Sequence, residues 1–190
     1  MLNLIIFGPP GAGKGTQAKK IAEQFNLFHL STGALLREEV SRQTLIGKRV
    51  QDIMAKGELV DDKIVDKLVK DKIEENGHDA GFIFDGYPRT INQAHTLDVL
   101  LAAKALPLIL SLEVDSEELA KRLLLRGQEI NRADDNGATI RNRLSIYAER
   151  TKPLLDFYHD QKRLISVHGQ GEVDEVYRRL EEQIKLIIQA

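Results

Sequence analysis

Residues 8–16, Gly-Pro-Pro-Gly-Ala-Gly-Lys-Gly-Thr, have the residue types and the spacing of a phosphate-binding loop. Glycines let a backbone curl so that several N–H groups point inward, and Lys14 supplies an ammonium group that can reach outer phosphates. An apolar run over residues 2–7 precedes the loop, and a helical pattern over residues 17–25 follows it. This order of strand, loop and helix distinguishes a nucleotide site from a tight turn. The sequence therefore predicts a polyphosphate site here.

The hydroxyl-bearing residue of this loop, Thr16, lies one position later than in the common phosphate-loop pattern. The common pattern places Ser or Thr directly after the lysine, whereas Gly15 follows Lys14 here and Thr16 comes next. The pattern leaves open whether Thr16 binds magnesium directly or meets a phosphate.

Asp85 ends a second buried strand, predicted over residues 82–85, and residues 86–89 (Gly-Tyr-Pro-Arg) follow it. Ligands of a parallel sheet gather at the carboxyl ends of its strands. A carboxylate at that point is typical of a magnesium site, with the metal bound directly or through water. The alternative role for Asp85 is that of a helix cap or turn former.

Six arginines fall in or beside predicted loops and helix ends. They are Arg37, Arg89, Arg122, Arg126, Arg132 and Arg143. A single arginine of this kind is most often a solvated surface residue. Six of them around one phosphate loop, in a chain of net charge −2, indicate a clamp for several phosphates.

The histidines show no metal-ligand spacing, so we interpret all five as surface or turn residues. They are His29, His78, His95, His159 and His168. The spacing suggests neither a Ser-His-Asp arrangement nor a pair of catalytic carboxylates.

Strand and helix patterns alternate along the chain. The predicted strands cover residues 2–7, 28–30, 82–85, 106–114 and 164–167. Helices are predicted over residues 17–25, 34–40, 92–103, 116–126, 138–163 with a break at Pro153, and 173–188. A further helix is predicted to follow Asp61 or Asp62, with Ile64, Val65, Leu68, Val69 and Ile73 on one stripe, and to end at Asn76-Gly77. The fold class is therefore α/β, with a five-stranded parallel sheet covered by helices on both faces.

Further expectations concern the helix caps, the less regular segments and the domain organisation. Ser31 or Thr32 is expected to cap the helix over 34–40, and Asp61 or Asp62 the helix after residue 60. Residues 41–60 show a mixed pattern, and residues 127–136 are predicted to form an exposed polar loop. We expect a single core domain over residues 1–190 with one or two small excursions.

Composition excludes several function classes. The chain has 190 residues, 42% hydrophobic and 29% charged, which is typical of a globular protein. A net charge of −2 gives no reason to expect nucleic acid or a membrane surface as partner. The absence of cysteine excludes disulfides and thiolate metal sites and fits the cytoplasm, and the N-terminal apolar run is too short to span a bilayer.

Together these motifs resemble those of the adenylate kinases with a short lid, nearly from end to end. The motifs are residues 8–16, residues 31–33 with Arg37, residues 57–60, residues 85–89 with Gln93, and the pairs Arg122/Arg126 and Arg132/Arg143. Glycine between the lysine and the threonine is normal in that family, so the displaced hydroxyl supports the resemblance. The fold that it implies is of the P-loop kinase type.

The resemblance implies a donor site for ATP. Its residues would be Gly11, Ala12, Gly13, Lys14, Gly15, Thr16, Arg122, Arg126 and Gly171. Lys14 would lie on the outer phosphates, Arg122 beside the adenine, and Gly171 near the base through its backbone. Asp85 would hold Mg²⁺, most simply through water.

It also implies an acceptor site for AMP. Its residues would be Thr32, Arg37, Glu58, Leu59, Val60, Gly86, Tyr87, Pro88, Arg89, Gln93, Arg132 and Arg143. In the family, Gln93 would read the adenine edge and Arg89 would grip the monophosphate. Arg132 and Arg143 would embrace the transferring phosphoryl group, and the bond before Pro88 would be cis.

The implied reaction is the reversible, Mg²⁺-dependent transfer of the terminal phosphoryl group of ATP to AMP, giving two ADP. Its catalytic residues would be Lys14, Arg89, Arg122, Arg126, Arg132 and Arg143, which supply positive charge to an in-line transfer. Residues 31–72 would form an AMP-binding lobe and residues 127–136 a short lid, both closing over the substrates. Only five residues separate Arg126 from Arg132, where long-lid relatives insert a domain, so we expect no zinc. We expect a monomer.

Two alternatives stay open at this level. A uridylate or cytidylate kinase shares the phosphate loop and the arginines, although such enzymes typically carry alanine at the position of Thr32 and differ at Gln93. A nucleotide-dependent switch or binding module is the alternative from another class. The chain lacks the Asn/Thr-Lys-x-Asp string that reads guanine, and a pure binding module needs no arginines for two phosphate groups.

Overall fold

The computed structural model describes residues 1–76, 81–102, 105–130 and 137–189, and it describes side chains for all of these except residues 124–130. Arg132 and the rest of residues 131–136, which belong to the predicted lid, lie outside the described residues, as does His78. The side chain of Arg126 also lies outside them.

Five parallel strands form one sheet in the order β2-β3-β1-β4-β5. The strands are β1 (Asn3–Phe7), β2 (Leu27–Ser31), β3 (Gly81–Asp85), β4 (Leu108–Glu113) and β5 (Leu164–His168). This confirms the predicted α/β class with its five-stranded parallel sheet. The register pairs Ser31 with Asp85 and His29 with Ile83, so the carboxyl ends of β2 and β3 lie level with each other.

Helices follow the strands as the alternation predicts. They are α1 (Lys14–Phe25), α2 (Thr32–Ser41), α3 (Leu45–Ala55), α4 (Asp62–Glu75), α5 (Ile91–Leu100), α6 (Ser116–Ile130), α7 (Gly137–Ile146), α8 (Leu154–Asp160) and α9 (Val173–Gln189). A π-helical segment, Tyr147–Thr151, precedes Pro153, so the predicted break in residues 138–163 is confirmed. Within the described residues, no helix is both long enough and apolar enough to cross a bilayer.

The bounds and the buried face of helix α4, which contacts the candidate site, follow from its sequence. Asp61 precedes it, and its side chain accepts a hydrogen bond from the Lys63 backbone N–H at 3.0 Å. Val65, Val69 and Ile73 form its buried stripe at helical spacing. The predicted cap and stripe are both confirmed.

Two expectations about helices are wrong. Helix α3 lies within the segment whose pattern we interpreted as mixed, although Ile46, Val50 and Ile53 have helical spacing. Glycine has a low helix propensity, so Gly47 argues against a helix in the sequence. It is required there by packing, because a Cβ at this position would lie 2.0 Å from the Glu39 carbonyl oxygen of α2. Helix α6 continues to Ile130, so residues 127–130 are helical rather than the start of a loop.

Both faces of the sheet are buried by helices. Side chains alternate along β1, so Ile5 and Phe7 pack on one face and Leu4 and Ile6 on the other. The first face is covered by α2, α4, α5 and α8, and the second mainly by α1 and α9. The strands therefore form a fixed platform, and the loops at their carboxyl ends are held by it.

Candidate active site

A cleft with a volume of about 1640 Å³ opens at the carboxyl ends of the strands. The phosphate loop, Asp85 and its following turn, and the turn after β5 all contribute to its walls. A smaller cavity of about 60 Å³ adjoins it. That cavity is lined by predicted AMP residues, including Thr32, Arg37, Glu58, Leu59, Val60, Gly86, Arg89, Gln93 and Arg143.

The backbone of the phosphate loop depends on its glycines. Gly8, Gly11 and Gly13 have φ values of 143°, 87° and 87°, in the region that side-chain-bearing residues rarely adopt. Gly13 directly precedes α1 at the capping position and has no side chain that could cap the helix. An anion can therefore take the place of a cap and accept hydrogen bonds from the first turn.

The ammonium group of Lys14 lies within this loop. Its Nζ donates to the carbonyl oxygens of Gly8 at 2.8 Å and Pro9 at 2.9 Å, and the residue lines the cleft. The flexible side chain of lysine allows this group to exchange a carbonyl for a phosphate oxygen within a short distance.

The presence of glycine at position 15 is explained by its close contact with Asp85, which the sequence pattern does not reveal. A Cβ at this position would lie 3.3 Å from Oδ2 of Asp85, which is tighter than an ordinary contact. The absence of a side chain therefore lets the carboxylate approach the first turn of α1. A side chain at this position would therefore require the Asp85 carboxylate to shift by a few tenths of an ångström.

Asp85 is held at the carboxyl end of β3 by residues of β2. Ser31 Oγ donates to its Oδ2 at 3.2 Å, and His29 Nε2 lies 3.7 Å from the same oxygen. Burial alone would raise the pKa of Asp85, but His29 and the positive charges of Lys14 and Arg89 outweigh it and hold the pKa below its ordinary value. The carboxylate is therefore ionised at neutral pH and is a hard oxygen donor of the kind that Mg²⁺ prefers.

The interpretation of His29 as a surface or turn residue is wrong. His29 lies on β2, lines the cleft and faces Asp85. Parallel pairing of β2 with β3 brings it there, and that pairing joins residues more than fifty positions apart. The only signal in the sequence is its position in the middle of the short apolar run over residues 28–30.

The turn after β3 is closed by short contacts among residues of the predicted acceptor site. Thr32 is buried, and its Oγ1 donates to the Gly86 carbonyl oxygen at 2.8 Å. Nε of Arg89 donates to the same oxygen at 2.8 Å. Gly86 has φ 76°, and a Cβ there would lie 2.8 Å from Arg89 Nη2. The Tyr87–Pro88 bond is cis, as the resemblance implies.

The prediction that the side chain of Ser31 or Thr32 caps α2 is wrong. Ser31 occupies the capping position without a side-chain hydrogen bond to the helix. Both hydroxyls are instead directed to the turn after β3, where they contact Asp85 and Gly86.

Gln93 is joined to α4 by hydrogen bonds that sequence reasoning missed. Its Nε2 donates to Asp62 Oδ1 at 2.7 Å, and its Oε1 accepts from the Arg89 backbone N–H at 2.7 Å. Thr90 Oγ1 donates to Asp62 Oδ2 at 2.7 Å and accepts from the Gln93 backbone N–H at 3.2 Å. The sequence offered Asp62 only as a possible helix cap.

The C-terminal end of α3 rests against α7. Thr139 Oγ1 donates to the Ala55 carbonyl oxygen at 3.2 Å, and Asn142 Nδ2 donates to that of Lys56 at 2.8 Å. Gly57 has φ 73°, and a Cβ there would lie 2.8 Å from Arg143 Cγ. These contacts bring Arg143 to the boundary between the cleft and the smaller cavity.

Arg122 connects helix α6 with the turn after β5 on the proposed donor side of the cleft. Its Nε donates to Glu118 Oε1 at 2.7 Å, and its Nη1 donates to the Gly169 carbonyl oxygen at 3.2 Å. A Cβ on Gly13 would lie 3.9 Å from the same Nη1. Arg122 therefore lies between the phosphate loop and the turn that contains Gly171, which also lines the cleft.

The structure thus brings Lys14, Arg37, Arg89, Arg122 and Arg143 to the walls of one cleft. Such a concentration of positive charge suits a polyphosphate ligand whose own charge is strongly negative.

Comparison with known proteins gives consistent results. A family model described as Adenylate kinase matches residues 6–163. An adenylate kinase of Flavobacterium psychrophilum is 43% identical over 187 residues, covering 97% of this chain and 98% of that protein. An adenylate kinase of Phenylobacterium zucineum is 45% identical over 177 residues, covering 92% and 93% respectively. One of Synechococcus sp. strain WH7803 is 45% identical over 181 residues, covering 94% and 96%.

Proposed function

The chain belongs to the adenylate kinase family, and we propose that its cleft and adjoining cavity carry out the reaction of that family. The protein is a nucleoside monophosphate kinase that transfers the terminal phosphoryl group of ATP to AMP and forms two ADP. The phosphate loop, residues 8–16, holds the donor, and the smaller cavity together with the adjoining part of the cleft holds the acceptor. The reaction is reversible because each bond broken is replaced by one of the same kind.

One observation carries the assignment of the two sites: the cleft and the cavity share a wall. The residues that line both are Gly33, Arg37, Gly57, Leu59, Gly86, Arg89 and Arg143. Three of these are arginines, and they lie between the phosphate loop and the acceptor cavity. A phosphoryl group passing from one nucleotide to the other would pass this wall, where guanidinium groups can bind it with two hydrogen bonds each.

The proposed mechanism requires no covalent nucleophile on the protein. Lys14 binds the outer phosphates of the donor, and Arg89 holds the monophosphate of the acceptor in line with them. Arg143 neutralises charge that develops on the transferring group, and Arg122 adds positive charge on the donor side; we propose corresponding roles for Arg132 and Arg126 respectively. A closed cleft excludes water, so that AMP rather than water receives the phosphoryl group.

Asp85 fits the requirements of the magnesium site. When bound there, Mg²⁺ would neutralise phosphate charge and orient the donor. An ionised carboxylate next to the first turn of α1, with Ser31 and His29 fixing its orientation, is suited to hold the ion directly or through water.

Asp85→Asn should raise the Mg²⁺ concentration for half-maximal activity by about tenfold to a hundredfold, because the neutral amide loses the charge that attracts the ion. Titration of activity with MgCl₂ checks this, and Mn²⁺ binding in the presence of ATP, followed by electron paramagnetic resonance, gives a second readout. Asp71→Asn, on the exposed side of α4, is the matched control. An unchanged Mg²⁺ requirement in a folded Asp85→Asn protein would remove Asp85 from this role.

The choice of acceptor is tested by steady-state assays with AMP, UMP and CMP as alternatives. We expect the highest kcat/KM with AMP, because Gln93 and Thr32 both lie in the acceptor region and are the residues that favour AMP over the pyrimidine nucleotides. Higher kcat/KM with UMP or CMP would assign the protein to the uridylate or cytidylate kinases. Nucleotide binding without formation of ADP would favour a binding module.

We also propose that residues 31–72 and residues 127–136 close over the two substrates. The chain contains no cysteine, so a pair of introduced cysteines can be labelled selectively. Labels at Gln51 and Glu182 report on the first segment, and labels at Ala138 and Glu182 report on the helix next to the second. Distances in both pairs should shorten when a bisubstrate analogue that joins two adenosines is added. Unchanged distances would argue against closure.

A cytoplasmic, monomeric protein is our proposal for its cellular state. The cysteine-free composition supports a reducing compartment. Exposed apolar side chains such as Leu45, Val99 and Leu186 lie on three different helices, which supports a monomer. Cell fractionation and size-exclusion chromatography test the two parts, and elution at twice the 21.4 kDa of the chain would contradict the second.

A further inference from the structure

We propose that Asp62 is a positioning residue that fixes the orientation of the Gln93 side-chain amide and so sets the preference for 6-aminopurine over 6-oxopurine monophosphates. The inference rests on the proposed function of the acceptor cavity, and it names a specificity residue that lies outside the predicted site. Asp62 is the first residue of α4, whereas Gln93 lies in the first turn of α5.

The two partners of the Gln93 amide permit only one orientation of that group. An ionised carboxylate can only accept hydrogen bonds, so Asp62 Oδ1 must face the amide nitrogen, at 2.7 Å. A backbone N–H can only donate, so the N–H of Arg89 must face the amide oxygen, also at 2.7 Å. The orientation therefore follows from chemistry at both ends of the amide.

Reversal of the amide would be costly at both ends. The oxygen of Gln93 would then face the Asp62 carboxylate, and the NH₂ group would face the Arg89 N–H. Two hydrogen bonds would be replaced by two repulsive contacts. Gln93 is only 3% exposed, so water is not available to compensate for either loss.

Asp62 is itself held in place. Its second oxygen, Oδ2, accepts a hydrogen bond from Thr90 Oγ1 at 2.7 Å, and Thr90 caps α5 by accepting from the Gln93 backbone N–H. The carboxylate therefore binds both the start of α5 and the side chain that projects from it. This arrangement prevents Asp62 from turning away and releasing the amide.

The fixed amide presents its remaining groups in a defined order. An amide has two N–H donors and two acceptor positions, and the contacts with Asp62 and Arg89 use one of each. The remaining oxygen position can accept from the 6-amino group of adenine while the remaining N–H donates to N1. Hypoxanthine reverses this order, because its O6 accepts and its N1–H donates. Gln93 lines the acceptor cavity, where such a base edge would lie.

The test compares AMP with IMP, which differ in this edge alone. Wild-type protein should show higher kcat/KM with AMP. Asp62→Ala should reduce the ratio of the two kcat/KM values by about tenfold, since a hydrogen bond to a charged group is removed. Asp62→Asn should reduce it less, because its amide can face Gln93 with either its oxygen or its NH₂ group and so no longer enforces one orientation. Asp62→Glu keeps an acceptor-only group and should retain part of the preference. Thermal unfolding followed by circular dichroism identifies which variants are folded.

Asp66→Asn is the matched control. Asp66 lies one turn further along α4 and makes the same kind of contact, because its carboxylate accepts hydrogen bonds from Tyr87 at 2.7 Å and Thr96 at 3.2 Å. Its loss should leave the AMP/IMP ratio unchanged. In a Gln93→Ala background the ratio should already be low, and Asp62→Asn should lower it no further.

Binding measurements test the role of Asp62 separately from the proposed enzymatic activity. Calorimetric titration with AMP and IMP measures the same preference as a ratio of dissociation constants without requiring catalysis. If wild-type protein forms no ADP from ATP and AMP, the proposed function fails, while the binding ratios of the variants still test Asp62. If every folded Asp62 variant keeps the wild-type ratio, or if Asp66→Asn lowers it equally, the role of Asp62 is overturned.

Discussion

Lys14→Ala should lower kcat for the formation of ADP from ATP and AMP by about a hundredfold or more. The Lys14 ammonium is placed inside the phosphate loop by hydrogen bonds to the carbonyl oxygens of Gly8 and Pro9. The same group neutralises charge on the outer phosphates during transfer, and no other lysine lies within the loop. A coupled spectrophotometric assay at saturating nucleotide concentrations measures the loss.

The size of this effect distinguishes a catalytic charge from a surface charge. A hundredfold loss corresponds to about 2.7 kcal/mol, whereas an exposed ion pair contributes about 0–1 kcal/mol. Lys67→Ala removes an exposed lysine that pairs with Asp71 on α4, so this control should keep nearly full activity. A loss of less than about tenfold in Lys14→Ala would mean that the loop backbone alone provides the stabilisation.

Arg89→Ala should lower kcat/KM for AMP by about a hundredfold or more, because Arg89 lies on the wall shared by the two sites. Its guanidinium is held on that wall by the hydrogen bond from Nε to the Gly86 carbonyl oxygen. Arg89→Lys should restore little activity, because lysine cannot make two parallel hydrogen bonds to a phosphate. Steady-state kinetics with varied AMP measure both variants.

The Arg89 variant also separates two recognition events. Its backbone N–H, which holds the Gln93 oxygen, is kept when the side chain is removed. The preference for AMP over IMP should therefore stay near the wild-type value although both substrates react slowly. Arg150→Ala, which removes an exposed arginine paired with Glu149, is the control for loss of charge. Full activity of Arg89→Ala would contradict the assignment of the acceptor site.

Much of the fold was predictable because it depends on local patterns. The apolar runs around residues 2–7 and 82–85 are long enough to indicate strands buried on both faces, and β1 and β3 are found there. The phosphate loop was predictable because its glycines, its lysine and the flanking elements are contiguous in the chain. Helix α3 was missed since Gly47, which argues against a helix by propensity, is required there by the close approach of α2.

The family and its reaction could be inferred from the chain alone, because the candidate phosphate-binding groups are marked by their residue types and by short spacings. The orientation of those groups could not be inferred in this way. The contacts that orient them join distant residues: Ser31 and Asp85 are 54 positions apart, Asp62 and Gln93 are 31 apart, and Asn142 and Lys56 are 86 apart. Such pairs follow from strand register and helix packing, which no local pattern specifies. Glycine at position 15 illustrates the difference, since the sequence shows the residue and only the approach of Asp85 gives its reason.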